Sequence, residues 1–464
     1  MKKTQILFLL LLPYFAFSQN TNKIIENTLS KQGDWNSLNN YQYTLKRALY
    51  VDGQYYSTTE AKPLKAEAYF SKDISTNRFY NRTITNFPGG YRFDFIAIGK
   101  ENQVFNYDYG KNRAGIAVTM SDKNTMLIQA RQNITALPFY ILTDLSKSTD
   151  TLISYENETE KSIVRKFKDG SETYLISKKE GFLQKIINKQ GKRETVILFE
   201  EYQNKDNLWF PIHIKTFTNG SITSDEKVTN MKFNIKFPDD HFEVPKDYAL
   251  TNTTNSPLQA KEIGKGIYLI EKVSNDRNVL FADMGDYILV TEAPVSTTVV
   301  KSILEVIQKT LPNKKIKVHI SHFHTDHIAG IGAFTEANTT IICTQKIAER
   351  IKKFLNLKTD HSLTFELFEN SKILNGDNKE IKLFNIANSH AEDLAFVYIP
   401  NESIIYESDF LSIPIDGTTT PAIAITKILD KYLKTNKIQF RRMIGHHGLS
   451  DITPEIFNEV LSKK

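Results

Sequence analysis

Between Val318 and Phe334 the chain reads VHISHFHTDHIAGIGAF, and four of the six residues from 322 to 327 carry metal-ligating side chains: His322, His324, Asp326 and His327. They follow an apolar alternation, Ile316, Val318 and Ile320, that ends in the small residue Ser321, which places them at a strand end. Imidazole and carboxylate are ligands that a borderline-soft zinc ion accepts. Side chains two apart on extended chain point the same way, so His322 and His324 can grip one ion together, leaving Asp326 and His327 to face a second position. Gly330 and Gly332 just beyond let backbone come close to such a site.

Three further residues of the same chemistry close later apolar runs: His390 after IKLFNIA, Asp409 after SIIYE, and His446 after Met443-Ile444-Gly445. From His327 onward the intervals are 63, 19 and 37 residues, each with room for a strand and its return. Eight of the ten histidines lie from His319 to His447, a clustering that structural histidines do not require.

In this order, HFHTDH, SHAEDLAFVYIP, YESD and IGHHG resemble the metallo-β-lactamase-fold (MBL-fold) metallo-hydrolase superfamily, over roughly Ile263 to the C-terminus. The resemblance implies an α/β sandwich, the αβ/βα metallo-β-lactamase fold, with the metals at one edge between two sheets. It implies that His322, His324 and His390 hold a first zinc, that Asp326, His327 and His446 hold a second, and that Asp409 bridges them. Asp326 would also orient the attacking hydroxide, as the catalytic residue, and Glu392 or Asp393 would fix His390 from behind. The two zinc ions, about 3.5–4 Å apart, would lower the pKa of a shared water and polarise a substrate carbonyl. With three histidines in the first set, Asp409→Asn is expected to weaken the second site more than the first.

The chain departs from the family pattern in three places. Glu292, in VTEAP, stands where an aspartate is usual, and Asp409 stands where the β-lactamase subclass with a cysteine ligand has Cys. Gly445-His446-His447-Gly448 offers two imidazoles for the last position. Neighbours on extended chain project to opposite sides, and the resemblance selects His446. Of the remaining candidates, His319 has the opposite parity and reads as structural, His361 as a loop residue, and Cys343, among apolar neighbours, as a small core residue.

The elements around these residues alternate strands with helices from Gly266 onward, which indicates helix layers on sheet. The spacing of Val299, Ile303, Val306 and Ile307 predicts a helix over Ser296–Thr310. Upstream, from Tyr41 to about Pro245, aromatic-rich strands separated by Asp52-Gly53, Pro88-Gly89-Gly90, Asp169-Gly170 and Asn219-Gly220 predict a mostly antiparallel β meander, with a helical interruption around Asn124–Leu145. This region weakly resembles LolA- and LolB-like carrier folds. Its histidines, His213 and His241, are far apart, and no chemistry is assigned to it. Polar YALTNTTNSPL, Tyr248–Leu258, has linker composition. The expected division is therefore a signal peptide at 1–18, a β-rich accessory domain at 19–250 and a separable hydrolase domain at 259–464.

Met1-Lys2-Lys3, the apolar run to Phe17 and the small residues Ala16 and Ser18 are the parts of a cleavable signal peptide, too short to span a bilayer, with no lipobox cysteine. A periplasmic or secreted protein is expected. The single cysteine excludes an intramolecular disulfide, and 59 basic against 53 acidic side chains, without blocks of one sign, gives no footprint for nucleic acid. The reading is thus a secreted zinc-dependent hydrolase with two ions, acting on an ester, thioester, lactone or β-lactam bond of a small-molecule substrate. The alternatives are a mononuclear-iron oxidoreductase of the same superfamily and a binding protein with a vestigial metal domain. The diiron flavoprotein branch resembles HxExDH, whereas this chain keeps His324 and has no flavin module.

Overall fold

The computed structural model describes residues 21–133, 136–251, 257–336, 339–356, 363–377 and 379–464. The expected signal peptide, most of the polar stretch after Leu250, and His361 lie outside the described residues. No helix among the described residues is long and apolar enough to cross a membrane.

The chain forms two compact units that alternate along the sequence. One comprises residues up to Asn39 with Gln129–Asn234, the other Asn40–Ile128 with Ile235–Lys464. The division expected between 250 and 259 is not the one observed, because the first half of the β meander belongs with the histidine-rich half of the chain.

In the first unit seven strands follow one another antiparallel from Leu152–Glu156 to Ser221–Phe233, joined by tight hairpins. Asn219 and Gly220 both have positive φ, 49° and 81°, the conformation of a type I′ turn, whose twist matches that of the strands it joins. Trp35, buried after the helix Thr21–Gln32, packs against Phe139, Phe210 and Phe233 and donates its indole N–H to the Gln32 carbonyl. The helical interruption consists of two helices, Lys123–Asn133 and Pro138–Ser146, the second opening on Pro138.

The second unit begins with six sequential antiparallel strands, Asn40–Leu49, Leu64–Asp73, Arg78–Asn86, Arg92–Lys100, Gln103–Asp108 and Ala117–Ser121. In such a meander the connections after the first, third and fifth strands fall at one edge, and these are the loops 50–63, 87–91 and 109–116.

The rest of the unit is a sandwich of two mixed sheets. The seven-stranded sheet runs in chain order from Ala260–Gly264 to Thr364–Leu367, antiparallel through Tyr287–Thr291 and parallel thereafter. The five-stranded sheet runs from Ser371–Gly376 to Arg442–Gly445, with only its last pair parallel.

Alternation within the strands builds the layers. In Arg277–Asp283, Val279 and Phe281 face outward onto Val300, Ile303 and Ile307 of the helix Thr297–Thr310, while Leu280 and Ala282 face inward. Ser296 caps that helix by accepting from the Val299 N–H. Between the sheets Leu269, Leu280, Leu289 and Ile342 meet Leu383, Val397, Tyr406 and Ile444. On the far face Phe396, Ile405 and Met443 meet Ile425 and Leu429 of the helix Ala424–Thr435 and Phe457 of the helix Pro454–Ser462. The order is helix, sheet, sheet, helix: the α/β sandwich of αβ/βα type that the motifs led one to expect, here with an additional β-rich part.

Candidate metal centre

All the expected ligands emerge where strands of the sandwich end. His322, His324, Asp326 and His327 follow the strand Lys315–His319, His390 follows Lys379–Asn385, Asp409 follows Ile404–Glu407, and His446 follows Arg442–Gly445. The structure brings them into two adjoining groups, His322 with His324, His390 and Asp409, and His327 with His446 and His447.

Asp409 joins the groups, one oxygen to each. Its Oδ2 lies 3.2 Å from His390 Nε2 and 3.7 Å from His322 Nε2, and its Oδ1 lies 3.1 Å from His327 Nε2 and 3.5 Å from His447 Nε2. Asp326 borders the second group, with Oδ2 3.4 Å from His447 Nε2 and 3.7 Å from both His327 Nε2 and Arg277 Nη2.

Of the two imidazoles offered for the last position the resemblance selects His446, and the structure gathers both His446 and His447 beside His327. The strand stops at Gly445, and His447 pairs in an isolated bridge with Arg277, so the rule of opposite projection for neighbours on extended chain no longer applies. Alanine substitution at either position is expected to weaken metal binding by this group by about 10-fold or more and spare the group of His322, as read by metal titration of the metal-free protein. A wild-type second site in His447→Ala would return that residue to a supporting role.

Whether these residues suit a cation is decided by their hydrogen bonds. Nε2 of His322, His327, His390, His446 and His447, and Oδ1 of Asp409, are buried and have no hydrogen-bond partner. Buried polar atoms are nearly always paired, so such a concentration of unpaired lone pairs calls for a ligand.

The opposite ring nitrogens are committed. His324 Nε2 donates to the Tyr55 carbonyl at 2.9 Å, His390 Nδ1 to the Pro88 carbonyl at 3.0 Å, and His446 Nδ1 to the Asn278 carbonyl at 3.0 Å. A carbonyl only accepts, so in His324 and His390 the proton sits on the outer nitrogen and the inner one offers a lone pair, while His446 Nδ1 is shared between the Asn278 carbonyl and the Tyr406 hydroxyl, 2.7 Å away. That is the arrangement by which proteins orient metal-ligating histidines. His322 Nδ1 lies 2.9 Å from Ser321 Oγ.

The electrostatics agree. Burial, reinforced by neighbouring histidines, holds His322 and His446 well below the usual imidazole range and pushes His324 down to about 3, which keeps the rings neutral as ligation requires. Burial also opposes charge on His327, but Asp409, Asp326 and Glu292 outweigh it and raise that ring well above its ordinary value. Burial disfavours the charge of Asp409, yet His327 and His390 keep its carboxyl well below the carboxylate range. Without a cation the His327 imidazolium answers these carboxylates, and that ring must give up its proton before it can ligate.

Glu292, the residue unusual for its position, lies under this junction with Oε1 3.6 Å from His327 Nδ1. It has φ 64°, and Val295 has φ 67°, a costly conformation for a β-branched residue. Both are pinned to the ligand strand and loop, Glu292 N–H to the His319 carbonyl and Val295 N–H to the Asp326 carbonyl.

Two supporting roles expected from sequence are not realised. Glu392 accepts from Thr58, and Asp393 accepts from Thr344 Oγ1 and Asn385, so neither holds His390. That task falls to Pro88 in a loop of the meander, a region to which no chemistry was assigned. Gly89 beside it has φ 86°, and a Cβ there would come 3.0 Å from His390 Nδ1. Tyr91 OH donates to the Asp409 carbonyl at 3.0 Å, and Arg113 pairs with Asp276 at 3.0 Å, next to His447. The only hint of this in the sequence was Pro88-Gly89-Gly90, which announces a turn but not what the turn touches. His319 is buried, with Nδ1 on the Ile342 carbonyl, and Cys343 is a buried core residue whose thiol burial pushes up.

No protein-family model matches the chain, and no curated relative does. Among solved structures it is similar to a flavodiiron protein from Giardia intestinalis, at 16% identity and TM-score 0.34, over 45% of this chain and 58% of that one. A metallo-β-lactamase from Hirschia baltica matches at 17% identity and TM-score 0.35, over 44% of this chain and 96% of that one. A stereoselective inverting sec-alkylsulfatase from Pseudomonas sp. matches at 13% identity and TM-score 0.34, over 44% and 40%. The chain spans less than two thirds of the flavodiiron protein and of the sulfatase.

Proposed function

We propose that this chain, an αβ/βα sandwich of metallo-β-lactamase type with a buried cluster of histidines and aspartates, is a zinc-dependent hydrolase with two ions, acting on an ester, thioester, lactone or β-lactam bond. One observation carries the reading: two adjoining sets of buried, unpaired imidazole nitrogens share one carboxylate, with an oxygen of Asp409 toward each. His322, His324, His390 and Asp409 would hold one ion, and His327, His446, His447, Asp409 and Asp326 the other. Bound zinc supplies Lewis acidity toward water and toward a scissile carbonyl.

The chain's own contribution is orientation and charge. Tyr55, Pro88 and Asn278 carbonyls fix three rings, and burial keeps those of His324 and His446 neutral. Asp326 is 26% exposed at its side chain while His322 and His327 are fully buried, so it is the most exposed group of the cluster. From there its carboxylate accepts a hydrogen bond from an attacking water and holds it toward the substrate, with Arg277 beside it as counter-charge.

The test is metal analysis combined with a hydrolysis screen over ester, thioester, lactone, β-lactam and phosphodiester substrates. About two zinc ions per chain are expected, with hydrolysis lost on chelation and restored by zinc. A chain that binds mostly iron, or that hydrolyses its substrate equally well with chelator present, would overturn the reading.

A further inference from the structure

We infer that the hairpin segment Asp52–Tyr55 is a working part of this metal centre, and that Gln54 is a positioning residue which aims Asp326 at the second ion. The inference rests on the two-ion reading above and adds to it a role for a segment far away in sequence.

The loop lies along the ligand loop and takes its residues one by one. The Tyr55 carbonyl accepts from His324 Nε2 at 2.9 Å, the Gly53 carbonyl accepts from the Thr325 N–H at 3.0 Å, and Gln54 Nε2 donates to Asp326 Oδ1 at 2.9 Å. The Asp52 carbonyl also accepts from Thr325 Oγ1 at 3.2 Å. The approach is close enough to require glycine, since Gly53 has φ 75° and a Cβ there would lie 2.0 Å from Thr325 Oγ1. At its other end the loop holds the segment that carries His390. The Tyr56 carbonyl accepts from the Glu392 N–H at 2.9 Å, and Thr58 donates to Glu392 Oε2 from both N–H and hydroxyl.

Gln54 differs in kind from the other contacts. Asp326 offers two oxygens, and the second group must receive one of them in a fixed direction. Because a carboxylate only accepts, the amide nitrogen of Gln54 is the end that faces it, and this bond occupies Oδ1. Oδ2 is then turned to His327, His447 and Arg277. A neutral donor does this without competing for the cation, whereas glutamate in its place would set like charge against Asp326.

Zinc titration of metal-free protein tests the assignment, with wild type, Gln54→Ala, Thr58→Ala and His327→Ala compared. Gln54→Ala is expected to leave the first ion within about 2-fold and weaken the second by about 10–100-fold, the range for partners one shell beyond a ligand. Cobalt in place of zinc should show the change only in the absorption of the second ion to bind. Thr58→Ala loosens the same loop without touching a ligand and should bind both ions as wild type does. Equal weakening in Thr58→Ala and Gln54→Ala would reduce the loop to a clasp and overturn the role of Gln54. So would a wild-type second site in Gln54→Ala while His327→Ala has lost it. If His327→Ala also keeps two ions, the two-ion reading itself fails.

Discussion

Replacing Asp409 with alanine is expected to weaken metal binding at both positions by more than about 100-fold and to take hydrolysis down with it. Partners one shell out typically account for 10–100-fold, and Asp409 stands closer than that to both groups. Oδ2 lies with His390 and His322 and Oδ1 with His327 and His447, at 3.1–3.7 Å, so truncation leaves each set of imidazoles without its negative charge. The amide in Asp409→Asn keeps the shape and the Tyr91 contact to the backbone, but it too lacks the charge.

The sequence alone suggested that the first position, with three histidines, would tolerate this better than the second. The geometry is even-handed, and comparable losses at both are the expectation. Heat denaturation gives an independent reading. Zinc at 100 times its dissociation constant stabilises a folded chain by about 2.7 kcal/mol per site, so the wild type should melt lower after chelation and the variant should not respond. A variant that loses one ion and retains the other at full affinity would assign Asp409 to a single group.

What the sequence made legible was the part of the site that resides in side-chain type and strand ends. The alternation of Ile316, Val318 and Ile320 delivers His322 to the end of a central strand, and the runs before His390, Asp409 and His446 do the same from the second sheet. The layer order came with the resemblance: Val279–Ala282 is apolar at every position, and only the structure assigns Val279 and Phe281 to one core and Leu280 to another.

His447, the second imidazole the sequence offered, ranked below His446 on a parity rule that holds only while the chain stays extended, and the strand stops at Gly445. The support from Tyr55 and Pro88 escaped for a deeper reason. Both act through main-chain carbonyls, which every residue has, so residue type carries no trace of the role. The contacts also join positions 269 and 302 residues apart, a pairing set by how the meander packs. The unit boundary was missed in the same way. Linker composition marks where a chain is polar, but which strands share a core with the histidines is a property of packing.

That packing decides what a shortened chain will do. A fragment starting at Leu258 retains both sheets of the sandwich and every proposed ligand, and composition suggested that it would stand alone. The structure predicts that it will not bind zinc as the whole protein does. It lacks the carbonyls that set the proton on His324 and His390, the amide that turns Asp326, and the hydroxyl of Tyr91 on the Asp409 backbone.

It also lacks Tyr91, Phe87 and Phe93, which pack against the core around Phe410 and Ile425, and so would expose that apolar surface to water. Each ligand left without its partner should lose about 10–100-fold in affinity, and with four affected the deficit exceeds that of any single substitution outside Asp409. The comparison is a zinc titration of the soluble fragment beside the intact protein, with light scattering to follow association. Two ions bound by a monomeric fragment at the affinity of the whole would mean that the meander loops rest on the metal centre without shaping it. The inference for Gln54 would then have to be judged on its own variants.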